Sequence, residues 1–384
     1  MAVEDGSPRE VLREFLRLGI LGFGGPSAHL ALFRQRFVRD LQWLDEQAFL
    51  DLIGAANLLP GPTSTEVALG IGRRRAGIAG LLAAGLGFIG PAVLSVLLLA
   101  MGYERFGSRP EIGWVLYGIQ PVVVAVVAVA VAGLAPTALR GPATLAIAAA
   151  AAAAILLGID PLLVVAGAVV VGIALAGMRR SGEARRWLAT LAPVTGLTPQ
   201  RLAAGAVAAS SLPGLGLVFL KIGLLSFGSG YVLLAFLRTD LVGPGLLTDH
   251  QLLDAVAVGQ VTPGPVYTTA TFVGYLLQGV PGALVATAAI FLPAFIGVAL
   301  IHPLLGKVRT SPAAAAFLDA INAASLGLIA AVTVQLGHAA LLDAVTVALA
   351  LISLAVLLRW RQAAVPLLIG GGVVGFAVHA LGWA

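Results

Sequence analysis

Residues Ala76 to Tyr103 pass without one charged side chain, and Ile112 to Leu139 do the same. A helix crosses the hydrocarbon of a bilayer with about 20 mostly apolar residues. Gly141 to Ile159 and Pro161 to Met178 follow, divided by a tight turn at Asp160 and Pro161. Further apolar runs cover Val280 to about His302, Ala313 to Gly337, Leu341 to Leu358 and Ala363 onward, which makes eight expected spans. Charged residues are only 11% of the 384, against about 25% in soluble domains. So few charges cannot clothe a soluble globule of this size, which excludes a soluble enzyme. A hydrophobic share of 59% excludes a disordered chain. The expected fold class is an all-α integral membrane protein, multi-pass in the inner (plasma) membrane and surrounded by lipid.

The chain carries an internal duplication. Phe15-Leu-Arg-Leu-Gly-Ile-Leu-Gly-Phe-Gly24 matches Phe219-Leu-Lys-Ile-Gly-Leu-Leu-Ser-Phe-Gly228. In the same register Arg34 meets Arg238 and Asp45 meets Asp249. One deletion later Asp51 meets Asp254, Asn57 meets Gln260, and Pro60-Gly61-Pro62 meets Pro263-Gly264-Pro265. Clusters of basic residues in short loops face the cytoplasm. Arg73 to Arg75, Arg140 and the group Arg179, Arg180, Arg185 and Arg186 then share that side, which makes Ala76 start inside. Placing Lys307, Arg309, Arg359 and Arg361 inside as well makes the counterpart, Val280, start outside. Two inverted repeats are therefore expected, each with broken or re-entrant helices followed by about four transmembrane helices. Their bounds are 1–186 and 214–384, joined by a connecting segment, 187–213, that holds an extra crossing. Inverted repeats are a habit of secondary transporters.

Each repeat opens with apolar segments cut by helix breakers, at Phe23-Gly24-Gly25-Pro26 and Phe227-Gly228-Ser229-Gly230, then at the two Pro-Gly-Pro turns. Broken backbone is tolerated at membrane depth only where it is buried in protein or lines a cavity. A helix restarting after a break presents unpaired N–H groups and a positive dipole end, which bind anions. Small and hydroxylated residues follow the breaks: Ser27, Thr63, Ser64 and Thr65 in the first copy, Tyr267, Thr268 and Thr269 in the second. Hydroxyls donate to an oxyanion without adding charge, though Ser and Thr also cap helices. Glu66 completes a capping-box spacing with Thr63 and is equally a candidate proton carrier.

Among the charges, Lys221 stands between long uncharged runs, and its repeat mate Arg17 is also basic. An embedded cation is a functional hypothesis by default. Arg34 and Arg238 are second-rank candidates whose planar forks suit oxyanions, and with Asp51 and Asp254 they are candidates for pairing or coupling. His29, His302, His338 and His379 are scattered without metal spacing and read as packing or interface residues. The sequence has no cysteine, so no thiolate metal site, and no phosphate-binding Gly-x-x-x-x-Gly-Lys signature. No metal, cofactor or nucleic-acid partner is expected, and a homodimer is allowed. The first residues include Glu4, Asp5 and Glu10, so no cleaved leader is expected. A competing class, a membrane enzyme acting on lipid phosphate, wants a nucleophile, a metal cluster or an Arg–Glu pair at one site, for which Glu66 with Arg34 is the one candidate.

Phe-Gly-Gly-Pro at 23–26 followed by Asn-Leu-Leu-Pro-Gly-Pro at 57–62 resembles the chromate ion transporter family. The two-copy layout is similar to its long-chain, two-domain members. The resemblance implies gradient-driven export of chromate, resistance to chromate, and a relation to sulfate handling. It marks Gly24, Gly25, Pro26, Asn57, Pro60, Gly61 and Pro62 and their second-copy equivalents. The second copy departs at Ser229-Gly230 and Gln260, so the halves are expected to contribute unequal contacts. The full expected anion site is Arg17, Gly24, Gly25, Pro26, Ser27, Asn57, Gly61, Thr63, Ser64, Lys221, Gly228, Ser229, Gly230, Gln260, Gly264, Tyr267 and Thr268.

Overall fold

The computed structural model describes residues 6–107, 109–178, 211–227, 230–300, 312–360 and 363–382. Among them all regular structure is helical. Most of the connecting segment, together with Gly228, Ser229, His302, Lys307, Arg309, Arg361 and the Arg179–Arg186 cluster, lies outside the described residues.

The first half begins with α1 (Pro8–Leu21), α2 (Gly25–Phe33), a π-helical turn at Arg34–Asp40, and α3 (Glu46–Ala56). The long α4 (Thr63–Phe106) follows, then α5 (Pro110–Ala138), α6 (Pro142–Leu156) and α7 (Pro161–Met178). The second half runs α8 (Leu212–Leu225), a 3₁₀ turn Gly230–Val232, α9 (Leu233–Leu237), a π turn Arg238–Val242, and α10 (Asp249–Val261). A 3₁₀ turn Val266–Thr268 leads into α11 (Thr269–Leu300), followed by α12 (Pro312–Ala340), α13 (Ala344–Arg359) and α14 (Ala364–Ala380). The same order of helix, break, short helix, π turn, helix, Pro-Gly-Pro and long helix thus occurs twice.

Backbone angles repeat too. A straight helix of 44 residues would run about 66 Å, twice the hydrocarbon thickness of about 30 Å. Instead α4 breaks at Ala76 (φ −143°, ψ 32°) and Gly77 (φ 62°, ψ −148°). Helix α11 breaks at Gln278 (φ −143°, ψ 21°) and Gly279 (φ 62°, ψ −153°). That second conformation is open essentially to glycine alone. At each break the chain folds back, and a Cβ on Gly72 or Gly80, or on Gly274 or Gly282, would overlap the other's carbonyl. The arm from Thr63 to Arg75 therefore folds back on the stretch that follows the break, which is where the charge-free run starts.

Among the described residues four helices are long and apolar enough to cross a membrane: α4, α5, the Val266–Leu300 unit and α12. Helices α6, α13 and α14, with 15, 16 and 17 residues, are shorter than their sequence runs. Those runs include turn residues, at Gly158 after α6 and at the Asp343 cap before α13. Small residues bring the long helices together, as is usual where lipid leaves no hydrophobic drive between them. Gly19 of α1 lies against the backbone of α4 at Gly87 and Phe88, and its mate Gly223 of α8 lies against Ile290 of α11. Gly118 of α5 meets Gly371 and Gly375 of α14 backbone to backbone. Helix α12 packs across α5, α6 and α7, and α4 packs on α11, so the two halves share one interior. Leu86, Leu94, Leu98 and Leu300 remain exposed, as lipid-facing residues do.

Candidate functional site

The four breaks meet. The Gly61 N–H of the first Pro-Gly-Pro turn donates to the Ser226 carbonyl at the end of α8, 2.9 Å away. Reciprocally, the Gly264 N–H of the second turn donates to the Gly22 carbonyl at the end of α1, 2.8 Å away. Gly22 and Ser226 are repeat mates, as are Gly61 and Gly264, so each half's turn closes the other half's break. These bonds exist because glycine allows φ of 146° at Gly61 and 99° at Gly264. They also satisfy carbonyls left over at two helix ends, which would otherwise be costly at membrane depth.

Around this crossing the helix starts lack side-chain caps. Helix α2 starts behind Gly24 (φ 102°) and α4 starts behind Pro62, neither with a side-chain hydrogen bond to its first turn. The two starts are tied by His29, which is buried. Its Nε2 lies 2.9 Å from the Gly22 carbonyl and its Nδ1 3.2 Å from Ser64 Oγ. The His29 ring also stacks edge-on against Phe88. Its role is thus polar as well as packing, which its isolation in the sequence did not reveal.

The remaining expected residues fall into distinct places. Gly24, Ser27 and Asn57 are exposed, and Gly25, Pro26 and Thr63 are half-buried. In the second copy Gly230, Gln260, Gly264, Tyr267 and Thr268 are all buried. Gly24 to Ser27 and Asn57 of the first copy are more open than Gly230 and Gln260 of the second, whereas the two Pro-Gly-Pro turns are buried alike, Gly61 and Pro62 as Gly264 and Pro265. Gly230 packs on the Tyr267 ring, Gln260 donates to the Tyr231 hydroxyl at 2.6 Å, and Thr268 donates to the Pro265 carbonyl. Gly24 also borders a groove with Leu21, Phe23, Ala28, Ala31, Leu32, Val365 and Pro366. Those apolar walls offer a dianion nothing.

The cations are not bare. Lys221 Nζ lies 2.6 Å from Asp240, joining α8 to the π turn that follows α9. In the first copy Arg36 plays the mirrored part with opposite sign: it pairs with buried Glu14 of α1 at 2.8 Å. Arg17, by contrast, is on the exposed face of α1. Arg34 pairs with Glu46 at 2.7 Å, and Arg238 with Asp249 at 2.8 Å. Both tie a π turn to the start of the next helix. Asp51 is exposed and accepts from Gln47. Its mate Asp254 is buried and accepts from Tyr103 and from Gln120, each at 2.9 Å, while Gln120 in turn faces His250.

Glu66 corrects two expectations. The capping box is not formed, because Pro62 precedes the first turn and the Glu66 carboxyl bonds no backbone N–H. The Glu66–Arg34 pair is not formed either, since Arg34 faces Glu46 at the surface while Glu66 is buried. Proline cannot offer a hydroxyl cap, so the side chain turns inward instead. Among the described residues no cluster of three or more His, Cys, Asp or Glu could hold a metal.

Comparison with known proteins gives the same direction. A family model described as chromate transporter matches residues 9–173 and again 197–376. The chain is 32% identical over 97% of its length to a chromate transport protein of Cupriavidus metallidurans, covering 94% of that protein. It is 32% identical over 96% of its length to a chromate transport protein of Pseudomonas aeruginosa, covering 92% of that protein. An uncharacterised transporter of Methanocaldococcus jannaschii is 26% identical over 86% of this chain and 84% of its own. No solved structure matches.

Proposed function

Because this chain belongs to the chromate transporter family, we propose that it carries chromate across the plasma membrane by alternating access. Export driven by an ion gradient or the membrane potential, with chromate resistance as its consequence, completes the reading. Sulfate is the competing substrate, since both are tetrahedral dianions. Transport rather than catalysis is favoured because the acid–Arg pair a lipid-phosphate enzyme would use is absent at Glu66 and Arg34.

One observation carries the proposal: the reciprocal bonds Gly61 N–H to Ser226 and Gly264 N–H to Gly22. A crossing built from mirrored breaks can be closed in one half and open in the other, and exchange of those two forms moves a site between two sides. The repeats 1–186 and 214–384, joined through 187–213, are on this reading inverted. The repeated order of elements and the matching breaks at Gly77 and Gly279 support the duplication, and the basic loops carry the inversion. The dianion is held by N–H groups at the starts of α2 and α4 together with Ser27, Thr63 and Ser64. The second copy supplies Gly264, Tyr267 and Thr268 when it opens in turn. Since Asp240 balances Lys221, backbone dipoles rather than a bare ammonium offset the charge.

The test is uptake of radiolabelled chromate into proteoliposomes, with sulfate, phosphate and chloride as unlabelled competitors. Chromate should enter faster than in protein-free vesicles, and sulfate should compete better than chloride. Entry at the protein-free rate refutes the reading.

A further inference from the structure

Glu66 is 2% exposed, and neither carboxyl oxygen has a hydrogen-bond partner. The side chain turns back onto the crossing: a Cβ built on Gly61 would stand 2.9 Å from Glu66 Oε1. Gly61 is the residue whose N–H closes the break at Ser226. From the other half Tyr267, itself fully buried, faces Ser226 and Glu66. The Thr65 hydroxyl beside Glu66 is also unpaired. From α2 the titratable group nearest this cluster is His29, through its contact with Ser64. Tyr267 is the corresponding group from the second half, and α11 brings only the Ala294 methyl against Gly61. Among the described residues Glu66 has no ion-pair partner.

An ionised carboxylate in such a place would be buried with nothing to replace its water, which is prohibitive. A capping or structural role would leave its oxygens bonded. The equivalent position in the second half is Thr269, whose hydroxyl is satisfied by the Val266 carbonyl at 2.8 Å. The fold therefore has an unburdened solution at this position and does not use it in the first half.

We propose that Glu66 is the proton-carrying group of the transport cycle. It holds a proton while the crossing is closed around it and releases that proton to water when the Pro-Gly-Pro turns separate. The carboxyl O–H bond breaks, its electron pair stays on the carboxylate, and water takes the proton. A dianion next to an ionised Glu66 would be repelled, so the anion and the proton travel together. A dianion with one proton moves one net negative charge, which an inside-negative potential drives outward. This inference rests on the chromate-transport reading.

Three measurements test it. Vesicles containing wild-type protein, with the potential clamped, should accumulate radiolabelled chromate when a pH gradient is imposed. An entrapped pH dye should report protons moving with it. In Glu66→Gln the ratio of accumulation with the gradient to accumulation without it should fall to about one, whatever the exchange rate. Glu66→Thr, which copies Thr269, serves if the glutamine variant does not fold. Chromate movement without proton movement in the wild type, or gradient-driven accumulation that survives in a folded variant, overturns the proposal. The infrared carbonyl band of a protonated carboxyl, present in wild type and missing in the variant, needs no chromate. If that band is present while wild type moves no chromate, the substrate reading fails and the proton site stands. If the band is absent, the proton site itself is refuted.

Discussion

Replacing Gly264 by alanine isolates one corner of the crossing. Its φ of 99° lies where an L-residue pays about 1–2 kcal/mol. The new methyl would stand 2.7 Å from Ala92 Cβ, well inside the ordinary carbon contact of about 3.5–4.0 Å. Ala92 is in the middle of α4 and has no flexible side chain to move aside, so overpacking adds about 1–3 kcal/mol. The sum is about 2–5 kcal/mol, or about 30-fold to several thousand-fold in an equilibrium constant. Relief requires the turn to withdraw, which lengthens the Gly264 N–H bond to Gly22. Gly90→Ala is the control, because it is within α4 and a Cβ there meets nothing within 4 Å. Unfolding in mixed detergent micelles, followed by tryptophan fluorescence, should place Gly264→Ala at least about 2 kcal/mol below that control. A difference under about 0.5 kcal/mol, the scatter of a neutral surface change, would mean that the turn is not held as described.

Further outcomes follow from other contacts. Gly118→Leu should abolish accumulation of folded protein by forcing α5 off α14, while Gly113→Leu, where a Cβ meets open space, should leave yield on gels near normal. Removing Lys221 alone should destabilise the protein by about 1–2 kcal/mol, less than a fully buried pair costs, because Lys221 is 29% and Asp240 13% exposed. Lys221→Met with Asp240→Asn should recover most of that loss, and a double-mutant cycle reads the coupling. Asp343 caps α13 outside the spans; slight burial pushes its carboxyl up, but bonds from Tyr117 and Thr346 outweigh this and hold it below its ordinary value. A depressed folded-state value means the contribution is present at neutral pH and is lost as pH falls below about 4. Asp343→Ala should cost about 0.5–2 kcal/mol at neutral pH, with the difference from wild type shrinking in acid when unfolding is measured against pH.

Much of the molecule could be read without coordinates because the bilayer is an unforgiving solvent. Charge-free runs, the register of the duplication and the positions of the breakers all follow from hydropathy and backbone chemistry. The same logic gave no partners to His29, Glu14, Gln120 or Asp240, since a polar residue in an apolar run does not announce its partner. It also gave Lys221 no partner, although its ammonium donates to Asp240, 19 positions on.

What the residues alone determined was a helical membrane chain, made of two copies, with Gly and Pro breaks at matching places. Those properties depend on local chemistry: side-chain transfer into lipid, missing N–H groups, and φ values open only to glycine. What only the tertiary structure decided was which groups are spent on one another. The Gly61 and Gly264 bonds reach across the two halves, Arg34 and Arg238 go to neighbouring helix starts, and Glu66 is left with no partner. Hydrogen bonds and ion pairs are satisfied in space over a few ångströms, and sequence distance says nothing about that.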